Sequence, residues 1–146
     1  MNNVTVDDSK VQNLFNSLNP DVRKEILFTA LKKGGKSLAE QTKIQLKSKL
    51  GAGASTPNRW NGKTMESGIR LKAEKDYCEV DVSIMGDFRL KFFEKGTKIR
   101  QTRKTKANRG RIKALYFFRA ARAKADDISS IINSSIAESL KRISKE

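Results

Sequence analysis

From Val22 to Leu50 an apolar or small residue recurs at every fourth position: Val22, Ile26, Ala30, Gly34, Leu38, Thr42, Leu46 and Leu50. Over such a stretch only an α-helix brings residues four apart onto one face. Leu27 and Leu31 widen the stripe. Ahead of it, Asn19-Pro20 offers a first helical turn, where the missing proline N–H costs nothing. Gly34-Gly35 would ordinarily mark a break, since a glycine costs about 1 kcal/mol relative to alanine inside a helix. The stripe keeps its phase across the pair, so the pattern predicts one long helix over 20–50, about 45 Å at 1.5 Å per residue. The glycines read as simply tolerated, in preference to a small-residue contact where another backbone comes close. Upstream, Asp7-Asp8-Ser9 offers N-cap chemistry before Val11, Leu14, Phe15 and Leu18, giving a helical arm over 1–19.

Beyond a Gly-, Ser- and Asn-rich loop (51–67), the period changes from four to two. Ile69, Leu71 and Ala73 alternate with Arg70, Lys72 and Glu74; Cys78, Val80, Val82 and Ile84 alternate with Glu79, Asp81 and Ser83. Two strands, each buried on one face, carry this pattern. Paired around Lys75-Asp76, they set Leu71 against Val80 and Ala73 against Cys78, with Lys72 facing Glu79 and Arg70 facing Asp81 outside. Cys78 then reads as a buried strand thiol. Met85-Gly86-Asp87 supplies a turn, and Phe88, Leu90 and Phe92 continue the alternation as a third strand, closed by Glu94-Lys95-Gly96-Thr97. A last stripe (Ala121, Ala125, Ile128, Ile132, Ile136, Leu140, Ile143) predicts one C-terminal helix over 115–144, after Leu115-Tyr116-Phe117-Phe118 re-enters the core. The expected class is α+β: a long N-terminal and a long C-terminal helix packed on a small antiparallel β-sheet of three to four strands, in a single domain over 1–146. So thin a sheet leaves edges open to pairing, and two helices of about 45 Å exceed what it can cover; both features favour an oligomer.

The charge is not spread evenly. Lys95 to Lys124 holds twelve Lys or Arg and no acid, within a chain of net charge +15. A charge this localised is a surface for meeting something negative, either nucleic acid or an acidic protein face. Its centre, over 98–114, is poor in apolar residues and reads as a long exposed loop, functional or unfolded until bound. The contacting residues are Lys98, Arg100, Arg103, Lys104, Lys106, Arg109, Arg111 and Lys113.

Other chemistry is thin. With no histidine and one cysteine, a His/Cys metal site cannot be assembled, and Ser-His and Cys-His nucleophilic pairs are excluded. Asp7-Asp8 and Asp126-Asp127 are adjacent carboxylates, which diverge on a helix and suit capping. Gly62-Lys63-Thr64 imitates the tail of a phosphate-binding loop, but Pro57 stands where the first glycine must lie. No apolar run approaches the ~20 residues that cross a membrane. Trp60 reads as an anchor on the core edge, with a partner hot spot as the alternative. Neither an enzymatic activity nor a cofactor, metal or small-molecule substrate is expected.

Phe92-Phe93-Glu94-Lys95-Gly96-Thr97, a basic loop, Arg109-Gly110-Arg111-Ile112 and then Leu115-Tyr116-Phe117-Phe118-Arg119-Ala120-Ala121 together resemble the tail-component (tail-completion) family of long-tailed bacteriophages and prophages. The stretch Gly62-Lys63-Thr64…Ser67-Gly68-Ile69 is similar to the family's lead-in to its first strand, although Thr64 and Gly68 depart from the pattern and the proline common near the Phe-Phe pair is absent. The resemblance spans roughly 20–143. It implies a structural virion protein at the neck or tail-proximal end, made in the host cytoplasm, forming a ring, commonly sixfold, that helps join tail to head. It implies contacts with further copies of itself and with adjacent neck or tail proteins, and structural roles for Phe93, Glu94, Gly96, Thr97, Phe117 and Phe118. The basic loop would then meet the acidic face of an adjacent ring or DNA in the channel; the sequence does not choose. The alternative reading is a free-standing nucleic-acid-binding protein using the Lys98–Lys113 loop, against which stands the lack of aromatics interleaved with those cations.

Overall fold

The computed structural model describes residues 8–145. In chain order they form α1 (Asp8–Ser17), α2 (Pro20–Leu50), β1 (Arg70–Glu74), β2 (Glu79–Ser83), α3 (Phe88–Lys95), α4 (Phe117–Arg122) and α5 (Ala125–Ile143), with short 3-10 turns at Gly51–Ala54 and Glu66–Gly68. Asp8 opens α1; Asp7, the other half of the expected cap, lies outside the described residues. α2 begins where the sequence places it, with Asn19 Oδ1 accepting the Asp21 N–H at 2.9 Å and Pro20 in the first turn.

α2 is the axle of the molecule. It runs unbroken for 31 residues, about 46 Å at helical rise. α5 and α4 pack along it on one side and the β1–β2 hairpin on another. Gly34-Gly35 is where these layers meet, which overturns the reading of simple tolerance. A Cβ on Gly34 would lie 2.6 Å from Ile132 Cγ1 of α5, and one on Gly35 2.6 Å from Val80 Cγ1 of β2. The neighbours that come close are side chains, not a backbone. The C-terminal half of α2 carries the principal core: Ala39 and Leu46 join Ala54, Met65, Ile69, Ile84, Leu90 and Phe117. Val22, at the start of the stripe, is exposed.

The hairpin forms, two residues out of the expected register. Leu71 faces Val82, Ala73 faces Val80, Lys72 faces Asp81 and Glu74 faces Glu79. A slip of two keeps every apolar side chain on its face, because the side-chain period is two. The extra residues form a four-residue turn over 75–78, tied to α2 by Lys24 Nζ, which donates to the Asp76 carbonyl at 2.7 Å. Cys78 therefore leaves the strand. It is half-buried in a left-handed conformation (φ 52°), its Sγ 3.8 Å from the Lys24 carbonyl.

The expected third strand is helix α3, so the sheet has two strands in place of three to four. Asp87 Oδ1 accepts the Arg89 N–H at 2.9 Å as N-cap, and Gly96 (φ 73°) closes the other end, its N–H donating to the Phe92 carbonyl. Phe-x-Leu-x-Phe satisfies both periods. The caps decide, turning Leu90 and Glu94 inward and leaving Phe88 and Phe92 edge-to-face on the outer side at 6.3 Å. The C-terminal helix is likewise two pieces, broken at Ala123-Lys124. Asp126 and Asp127 occupy the first turn of α5, where carboxylates favour a helix start. At 19 residues α5 spans about 28 Å and does not match α2. Trp60 is 91% exposed, the reverse of a core anchor. Its turn is closed on itself by Asn58, which receives the Trp60 and Gly62 N–H groups and donates its own to the Lys63 carbonyl. Among the described residues no helix is long and apolar enough to cross a membrane.

Candidate functional site: a clamped basic finger

The segment read as a loop is a finger with rungs. Arg100 and Gly110 are joined through the Arg100 N–H and the Gly110 carbonyl (3.0 Å), and the Arg109 N–H returns to the Arg100 carbonyl (2.7 Å). Gln101 and Asn108 form an antiparallel bridge, and the Thr102 N–H donates to the Ala107 carbonyl at 3.1 Å. Lys106 takes a left-handed angle in the tip, and Gly110 takes one at the rung opposite Arg100. The cations cannot stack into a core, so backbone pairing supplies the order.

All eight expected contact residues (Lys98, Arg100, Arg103, Lys104, Lys106, Arg109, Arg111 and Lys113) are exposed. Among the described residues none has a carboxylate within 4.0 Å; the ion pairs lie elsewhere, as in Lys47–Glu66 and Arg89–Asp87. Like charges crowded together repel, and a folded chain keeps them so only where the rest of the structure holds them.

That hold is built from the motif residues. Thr97 pinches the base twice: its N–H donates to the Ile112 carbonyl and its Oγ1 accepts the Ile112 N–H, each at 2.9 Å. Gly96 is needed both for its angle and for space, because a Cβ there would sit 2.9 Å from Ala114 N and 3.0 Å from the Ile112 carbonyl oxygen. The returning chain is fastened to α3 by the Leu115 N–H on the Phe93 carbonyl (2.8 Å) and the Tyr116 N–H on the Glu94 carbonyl (3.2 Å). Lys49, in the last turn of α2, donates to the Leu115 carbonyl at 2.9 Å.

Glu94 completes the clamp. α4 follows Tyr116, which stands in the left-handed region (φ 50°) and offers no side-chain cap. Glu94, 24 residues upstream of Phe118, takes that part: its Oε2 accepts the Phe118 N–H at 2.8 Å and its Oε1 the Arg119 N–H at 3.0 Å. A buried carboxylate satisfied by two N–H groups at a helix start is stable there. Phe117 is fully buried, and Phe93, Leu115 and Phe118 pack against the same core.

The six motif residues thus converge at the base of the finger; Lys98, Arg111 and Lys113 flank that base, and Arg100, Arg103, Lys104, Lys106 and Arg109 lie beyond it. The sequence did not single out Tyr116, Arg119 and Arg122, which stand beside that base. Arg119 lies 5.8 Å over the Tyr116 ring and Arg122 5.9 Å over that of Phe118. Their spacing of three and four residues was the available signal. Among the described residues no three His, Cys, Asp or Glu side chains are placed to hold a metal. No protein-family model, curated protein or solved structure matches the chain.

Proposed function

We propose that this chain is a structural virion protein of a tailed bacteriophage, a neck or tail-completion component that assembles into a ring and helps join tail to head. The observation that carries this reading is the clamp. Residues that define the family resemblance lie far apart in sequence, yet Phe93, Glu94, Gly96 and Thr97 meet Leu115, Phe117 and Phe118 at the base of one exposed basic finger. A ring subunit needs a rigid body that presents such a projection to the next layer. Surplus surface supports the same reading: two strands with open edges, and Phe88, Trp60, Tyr77 and Met85 exposed. Replacing Arg103, Lys104 and Lys106 by Glu in the genome that encodes the chain tests the finger's part in joining. The expected outcome is DNA-filled heads separated from tails, with the purified variant's circular dichroism unchanged. Normal, infectious particles from this variant would remove the finger from the joining contact.

A further inference from the structure

We propose that the base of the finger is a binding site for the phosphodiester backbone of a nucleic acid. This takes up the partner left open above and stands whether the chain works in a ring or alone. Lys95, Lys98, Arg111 and Lys113 line an open cleft of about 520 Å³, together with Gly96 and Ala114. Lys95 also lines the neighbouring concavity, together with Tyr116, Arg119 and Arg122. Six cations from three segments therefore border two concavities that share Lys95. Among the described residues the one carboxylate lining either concavity is that of Glu94, and both its oxygens are held by the Phe118 and Arg119 N–H groups.

Two features favour a phosphate chain over an acidic protein face. The cations border two open concavities joined at Lys95, a line that a strand of regularly spaced phosphates can follow. Tyr116, 49% exposed beside Arg119, adds an aromatic platform at its edge. Stacking on such a platform is open to bases and gives little to aspartate or glutamate side chains. The aromatic missing among the cations of the Lys98–Lys113 loop is supplied here by Tyr116, just beyond it.

The experiment is fluorescence anisotropy of the full chain with a labelled 20-nucleotide single strand, the matching duplex, and polyglutamate of equal charge, each over a range of salt. Binding should weaken with salt on a log–log slope of about −3 to −5, roughly 0.7–0.9 per phosphate neutralised. Lys98→Gln/Arg111→Gln/Lys113→Gln should reduce that slope by about 2–3. A charge-matched control, Lys32→Gln/Lys36→Gln/Lys63→Gln, alters exposed cations that do not line the cleft and should leave the slope within one unit of the parent. Tyr116→Asn, which tolerates the left-handed angle, separates the two nucleic acids. A loss of about 5- to 100-fold confined to the single strand assigns that ligand, and tight duplex binding indifferent to the change assigns the duplex. Equal losses from both triple variants would reduce the binding to net charge and overturn the site. Polyglutamate bound as tightly as either nucleic acid would replace it with an acidic protein partner.

Discussion

Glu94→Ala removes both acceptors from the Phe118 and Arg119 N–H groups, which lie 2.8 and 3.0 Å from the carboxylate at the start of α4. Neither group has an acceptor within its own helix, so both would be left unmet in a site where Glu94 is buried and Phe117 fully so. Loss of an N-cap costs about 0.5–2 kcal/mol and a hydrogen bond to a charged group about 1.5–3 kcal/mol. Partial relief by water brings the expected loss to about 3 kcal/mol, a large share of the 5–15 kcal/mol typical of a domain. For a chain of this size that lowers Tm by roughly 6–12 °C. Glu94→Gln keeps the shape and one acceptor oxygen, and should lower Tm by about half as much. Thermal unfolding followed by circular dichroism gives both numbers. Trypsin digestion adds a local readout, since the same carboxylate holds the end of the finger and cleavage within 98–113 should accelerate in both variants. A Glu94→Ala shift below about 2 °C would show that the carboxylate is not what holds α4 to α3.

Gly34→Ala places a methyl group 2.6 Å from Ile132 Cγ1, an overpacking that costs about 1–3 kcal/mol and outweighs the roughly 1 kcal/mol gained in helix propensity. Its Tm should fall by about 2–4 °C, and a rise would refute the close contact with α5. The Asp87 carboxyl is held below its ordinary value, chiefly by hydrogen bonds from the Arg89 side chain, with burial opposing and the Arg89 backbone N–H and charge assisting. A lowered folded-state pKa means that its stabilisation is complete above the unfolded value of about 3.9 and fades as pH falls through the folded value. Asp87→Asn keeps a capping side chain but no ion pair, so its deficit in Tm against the parent should be present at pH 7 and shrink as pH falls below the unfolded value of about 3.9. Trp60→Ala should leave stability within about 0.5 kcal/mol in denaturant titration, because the ring is 91% exposed.

The elements with long, single-valued periods were legible in the sequence. α2 follows from its four-residue stripe, and the hairpin from its alternation. What the alternation could not fix was the register, because a slip of two preserves the faces and only the turn, with Cys78 at φ 52°, distinguishes the two pairings. α3 is not separable from a strand by its period, because its eight residues satisfy both; Asp87 and Gly96 carry the decisive capping signal. Gly34-Gly35 is a tertiary feature, since nothing local announces that Ile132 and Val80 arrive from 98 and 45 residues downstream. In the same way the finger's charge was plain from composition, whereas its clamp depends on Glu94 reaching the start of α4 and on Thr97 meeting Ile112.

Deleting the coding sequence from the genome that carries it, and imaging the resulting lysate by electron microscopy, bears most directly on the proposed role. DNA-filled heads beside unattached tails, or tails of uncontrolled length, restored to whole particles by a plasmid copy of the chain, are the expected result. Intact, infectious particles assembled without the chain would contradict it.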